Sequence, residues 1–394
     1  MMKQKVARVL MSVCLMCSST NLWAIEAPAK EAIAPTAKSY VLMEATSKKV
    51  LLDSDKDVQL PPASITKIMT LLLIHDAIAE GKINWDDKVT ISEHAAHMGG
   101  SQIFMEPGEE QPVRDLVKSI GIASANDAAV AMAEYIAGSE QQFVDKMNEK
   151  AKALGMTNTV FKNACGLHVE GHLSTAYDIA LMSSELMTKY PDISKTLTTW
   201  MDTITHKTRR GESEFGLTNT NKMIKWYNGL TGMKTGYTPQ AKFCVSATAK
   251  RDNIEFIAVI MGAEDGKVRF REAGSLLDYG FANYEIKSGP QVGEVLGQAT
   301  VKKGEMDTVD LTIENTLNFV IPKGDQTSKL SYEVTAEEDV VAPIYKGQKL
   351  GEITYTMNGE VIQVADLVAK EDVAKAKLRN MIPYMMKRFF KTVE

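Results

Sequence analysis

The chain has 394 residues, 44% hydrophobic and 24% charged, which is enough for two domains and a substantial core. A formal net charge of -5 leaves no basic field of the kind that draws nucleic acid, and that partner is set aside.

Residues 1–24 read as a secretory signal: Lys3, Lys5 and Arg8, then an apolar run over 9–17, then a polar stretch closing on Ala24. The run is too short to cross a bilayer as a permanent helix. Cleavage is expected after Ala24, with Ala29 as second choice, and the protein is expected to be exported. Cys14 and Cys17 fall inside the signal, so Cys165 and Cys244 remain, and two thiols are expected rather than a disulfide. Residues 25–38, rich in Ala, Pro, Lys and Glu, form a linker.

Two short strands over 40–44 and 49–52 read as a hairpin. Pro61 and Pro62 then stop the chain before Ala63-Ser64-Ile65-Thr66-Lys67, and from Ile65 to Ile78 apolar residues go nearly all round a helix, the pattern of a helix buried in a domain. Ser64 falls at an N-cap or first-turn position, and Lys67 lies on the same face three residues on. A serine is a weak nucleophile until a base takes its proton, and a lysine serves as that base only when desolvation keeps it partly neutral. A dry helix supplies the desolvation.

Further on, helices over 113–120 and 127–137 flank the loop Ala123-Ser124-Ala125-Asn126. Antiparallel strands follow over 231–235, 243–248 and 254–261, then an amphipathic helix over 271–284. From 291 to 364 the helical signal disappears, leaving short strands over 308–313, 318–321, 330–334 and 352–355 as a separate all-β unit. Over 378–393, Leu378, Met381, Ile382, Met385, Met386, Phe389, Phe390 and Val393 make one apolar helical face with cations elsewhere and Pro383 as a kink, the pattern of an interfacial membrane anchor.

Three motifs stand in order: Ser64-Ile65-Thr66-Lys67, Ser124-Ala125-Asn126 and Lys234-Thr235-Gly236. The set resembles the S-x-x-K, S-D-N and K-T-G signatures of penicillin-binding proteins and serine β-lactamases, with Ala125 in place of the aspartate. Over nearly its whole length the chain most resembles the low-molecular-mass D-alanyl-D-alanine carboxypeptidases of peptidase family S11. The resemblance implies an α/β (α+β) DD-peptidase-like catalytic domain over 39–286, with an antiparallel sheet and a helical insertion. A small all-β domain over 290–366 and an amphipathic helix over 370–394 would follow it. It also implies removal of the terminal D-alanine from peptidoglycan pentapeptides, covalent inhibition by β-lactams, and a peripheral place on the outer face of the cytoplasmic membrane.

Residue by residue, the resemblance makes Ser64 the nucleophile, Lys67 its base and Ser124 a proton relay. Asn126, Lys234, Thr235, Gly236 and Tyr237 would bind substrate, with the Ser64 and Tyr237 N–H groups as the oxyanion site. A β-lactamase and a catalytically silent scaffold binding wall peptides are the alternatives. No cofactor or metal is expected: His94 with His97, or His168 with His172, lack a third ligand at suitable spacing, and Gly171 favours a loop. No Ser-His-Asp ordering is apparent.

Overall fold

The computed structural model describes residues 35–208, 211–324 and 329–376. The expected signal and most of the linker lie outside these residues. Of the expected helix over 370–394 only 370–376 are described, and these are not helical: a bend at Lys370 and Glu371 leads into isolated bridges of Val373 to Ile344 and Lys375 to Gly304.

Strands β1 (Ser39–Glu44) and β2 (Val50–Ser54) form the first hairpin. With β3 (Leu230–Thr238), β4 (Lys242–Arg251) and β5 (Ile254–Ala263) they build an antiparallel sheet of order β2-β1-β5-β4-β3. Successive side chains on a strand point to opposite faces, and here both faces are covered. On β5, Ile257, Val259 and Met261 enter one core, while Phe256, Ala258 and Ile260 enter another. The first core is filled by helices inserted between β2 and β3: α1 (Lys67–Ala79), α2 (Asn126–Ala137) and α3 (Ala176–Lys189). Helix α1 is buried at every position from Lys67 to Leu72, as its all-round apolar sequence requires. The second core lies under α4 (Gly266–Asn283). That helix starts earlier than periodicity suggests, because Asp265 accepts the N–H groups of Lys267 and Val268 and caps it.

A hairpin of Met201–Thr208 and Gly211–Thr218 was not anticipated, since Glu212, Ser213 and Glu214 give its outer strand no apolar alternation. The C-terminal unit is a six-stranded sheet whose core holds Val301, Leu311, Ile353, Tyr355 and Leu367. Cys165 and Cys244 are both free and buried.

Candidate active site

Ser64 does not cap α1. It sits inside one turn of 3-10 helix, Ala63–Thr66, that feeds into α1 at Lys67. In a 3-10 turn residues i and i+3 eclipse, so Lys67 stands directly over Ser64, and its Nζ donates to Ser64 Oγ at 3.1 Å. The turn is held by close backbone approaches. Ala63 has φ +48°, and a Cβ on Gly166, itself at φ +87°, would lie 1.9 Å from the Ala63 carbonyl oxygen. On the other side Gly236 of β3 lies against the turn, where a Cβ would come within 2.9 Å of Pro62 O and 3.1 Å of Ser64 N.

Lys67 is fully buried and donates also to Asn126 Oδ1 at 2.5 Å and to the Cys165 carbonyl at 2.7 Å. The Asn126 amide is oriented, because its Nδ2 donates to Gly99 O at 2.6 Å. Three acceptors match the three protons of an ammonium. Burial lowers the Lys67 pKa to about 8, with Cys165 and Asp127 pulling it partly back up. Once the amine is neutral, one of its three contacts must reverse, and neither a carbonyl nor the amide oxygen has a proton to give. Only Ser64 Oγ–H does.

Ser124 follows a π-turn, Ser119–Ala123, and adopts the left-handed conformation at φ 63°, ψ 33°. Its hydroxyl is buried and has no hydrogen-bond partner among the described residues, an arrangement that costs about 1–3 kcal/mol until a ligand satisfies it. Lys234, on β3, is 1% exposed and makes one long contact, 3.4 Å to Thr235 O. Burial, then the charges of Lys67 and Arg269, hold its pKa well below the usual lysine range. Lys234 pairs with no carboxylate among the described residues, and an entering carboxylate would restore its charge. Thr235 Oγ1 donates to Thr220 Oγ1 at 2.7 Å. Tyr237 lies half-exposed on the same strand, its ring 4.5 Å from that of Phe243.

Four further groups hold the site in ways the sequence does not announce, His172 among them, which sequence offers only as a metal ligand without a third partner. The Cys165 carbonyl carries no side-chain signature. Asp127, next to Asn126, accepts the Ile103 N–H at 3.0 Å and so straps the loop that supplies Gly99 O. Arg269 of α4 bridges Gly236 O at 2.9 Å and Cys244 O at 3.1 Å, fixing β3 against β4. His172 accepts the Lys162 N–H on Nδ1 at 3.3 Å, which leaves Nε2–H to donate to Thr66 Oγ1 at 2.9 Å. Burial pushes its pKa down to about 4, and it steadies the turn as a neutral ring. His172 thus serves packing, one residue from the loop at Gly171.

The sequence profile of D-alanyl-D-alanine carboxypeptidase matches residues 25–265, and that of the penicillin-binding protein 5 C-terminal domain matches residues 284–375. The chain belongs to the D-alanyl-D-alanine carboxypeptidase family. This carboxypeptidase is similar to D-alanyl-D-alanine carboxypeptidase DacF of Bacillus subtilis, 44% identical over 376 residues that cover 95% of this chain and 96% of the relative. DacC of Escherichia coli is 34% identical over 363 residues, covering 89% of this chain and 86% of that one. The crystal structure of penicillin binding protein 5 from Haemophilus influenzae superposes with a TM-score of 0.72 at 32% identity, over 87% of this chain and 98% of that one. The protein is a serine carboxypeptidase of the penicillin-binding kind that serves cell-wall synthesis, which sets aside the β-lactamase and scaffold readings.

Proposed function

We infer that the carboxypeptidase cleaves the bond between the two D-alanines of a peptidoglycan pentapeptide through an acyl-enzyme on Ser64. The observation that carries this reading is the Lys67 amine, buried and 3.1 Å from Ser64 Oγ. Neutral Lys67 takes the Ser64 proton as Oγ bonds to the carbonyl carbon, and the resulting oxyanion is held by the Ser64 and Tyr237 N–H groups. The C–N bond then breaks, and the proton passes from Lys67 through Ser124 to the departing D-alanine nitrogen. Asn126 holds the substrate amide, and Lys234 with Thr235 binds the terminal carboxylate. The free edge of β3, the last strand in its sheet, pairs with the peptide backbone, and Gly236 leaves room for it. Water attacks the ester, releasing the shortened peptide and returning the proton to Ser64. β-Lactams would occupy the same serine and stay there as covalent inhibitors.

Because the base must be neutral, kcat/KM for a soluble pentapeptide is expected to rise about tenfold per pH unit below the Lys67 pKa and to level off above about 8. D-Alanine release measured from pH 6 to 9 checks this, and a flat profile across that window would remove Lys67 from the role of base.

The signal over 1–24 and the apolar face within 370–394 support export and a peripheral station on the outer face of the cytoplasmic membrane. Removal of 377–394 should shift the protein from the membrane pellet to the soluble fraction, and unchanged sedimentation would refute the anchor. No helix among the described residues is long and apolar enough to cross a membrane.

A further inference from the structure

The turn Lys222–Lys225 and helix α4 enclose a groove of about 890 Å³ whose lining includes none of Ser64, Lys67, Ser124, Lys234 or Thr235. It is lined by two indoles, Trp200 and Trp226, and by Lys222, Lys225, Lys267 and Arg271. The indoles are held in place. Gly274 stands mid-helix in α4, where a Cβ would lie 3.1 Å from Trp226 Cη2, so the glycine seats the ring while 55% of Trp226 stays exposed. Lys225 Nζ sits 3.8 Å from the centroid of the Trp200 ring.

The charge of this groove is not balanced from within. Asp278, the one carboxylate among the described lining residues, is taken by Arg251 at 3.2 Å and by the Tyr227 hydroxyl at 2.8 Å. Asp265, nearby, spends a carboxylate oxygen on capping α4. Lys222, Lys267 and Arg271 are exposed and make no ion pair among the described residues. Asp265 acts on Lys267 and Arg271 through its charge without pairing with either, so cations remain in excess beside flat aromatic faces, which suits a ligand that alternates carboxylates with the apolar faces of sugar rings. The surface is concave, which favours a strand over a flat bilayer.

We propose that this groove binds a carboxylate-bearing sugar–peptide strand of the wall polymer, separate from the stem being cut, so that the enzyme is held on its polymeric substrate. This rests on the peptidoglycan reading above. The Ser64→Ala protein, which cannot turn over, is mixed with sacculi stripped of lipid and phosphate polymers, and binding is read by co-sedimentation. Two groove variants are compared with it: Trp226→Ala, and the triple charge reversal Lys222→Glu/Lys267→Glu/Arg271→Glu. Each is expected to weaken sacculus binding about tenfold, and the loss in the triple variant should shrink as salt rises.

With Ser64 intact, the same changes should raise KM on sacculi about tenfold while leaving kcat and D-alanine release from a soluble pentapeptide unchanged. Sacculus binding equal to that of the parent would overturn the proposal. So would a loss of binding to anionic lipid vesicles, rather than to sacculi, in the groove variants, or a parallel fall in soluble-peptide turnover. Absence of D-alanine release by the unmodified enzyme would instead count against the peptidoglycan reading, so the two failures are separable.

Discussion

Ser64→Ala is expected to reduce D-alanine release from a soluble pentapeptide by about 10⁴-fold or more and to abolish the mass increase that follows incubation with penicillin. The size of the effect follows from chemistry. Without Oγ there is no acyl-enzyme, and none of the other groups at the site can take over. Lys67 lies buried behind the serine with its nitrogen already committed to Asn126 and Cys165. Thr66 Oγ1 is occupied by His172, and Ser124 has no base of its own among the described residues. The substitution removes a single hydrogen bond, worth about 0.5–1.5 kcal/mol, so the melting temperature should move by only a few degrees. Penicillin adduct formation on the alanine variant, or D-alanine release close to that of the parent, would place the nucleophile elsewhere.

Gly166→Ala should be the most damaging single methyl group in the catalytic domain. Two penalties coincide there. The φ of +87° disfavours any residue with a Cβ, at about 1–2 kcal/mol, and the new atom would lie 1.9 Å from a backbone oxygen that cannot rotate away. Relief requires moving either the turn that carries Ser64 or the segment that carries the Cys165 carbonyl, and both hold Ser64 against Lys67. A stability loss of about 2–4 kcal/mol and a fall in kcat/KM of at least about 100-fold are expected, by thermal melting and D-alanine release. Gly155→Ala is the control: φ is +77°, but nothing lies within 4 Å of the added carbon, so strain acts without a clash. It should cost about 1 kcal/mol and leave activity intact. Equal behaviour of the two variants would show that the close approach at Ala63 does not shape the site.

The residues that sequence reading found are those whose chemistry is written in side chains at short spacing. Ser64 and Lys67 share a turn, and Lys234, Thr235 and Gly236 share a strand, so local periodicity placed them. The apolar run of α1 announced burial, and burial is what brings Lys67 down to about 8. The form of the turn was not legible, since a 3-10 start and an N-cap both follow prolines. The Cys165 carbonyl and the support from Gly166 were hidden because a backbone oxygen and a missing Cβ leave no pattern until distant segments meet. Arg269 belongs to a helix whose start depended on the Asp265 cap, and its role exists only once β3 and β4 are paired. The hairpin at Met201–Thr208 and Gly211–Thr218 escaped because its outward face is polar and its partner is itself.

The position of β1 in the sheet has a consequence for biosynthesis. It pairs with β5, whose first residue follows its last by 210 positions (254 minus 44), so the first strand of this sheet to leave the ribosome waits for the last of it. At roughly 5–20 residues per second that wait is about 10–40 s, with apolar strand edges uncovered throughout. Lys234 is likewise made long after Ser64, and a half-synthesised chain therefore holds the serine proposed to take the antibiotic before the strand proposed to hold the antibiotic's carboxylate exists.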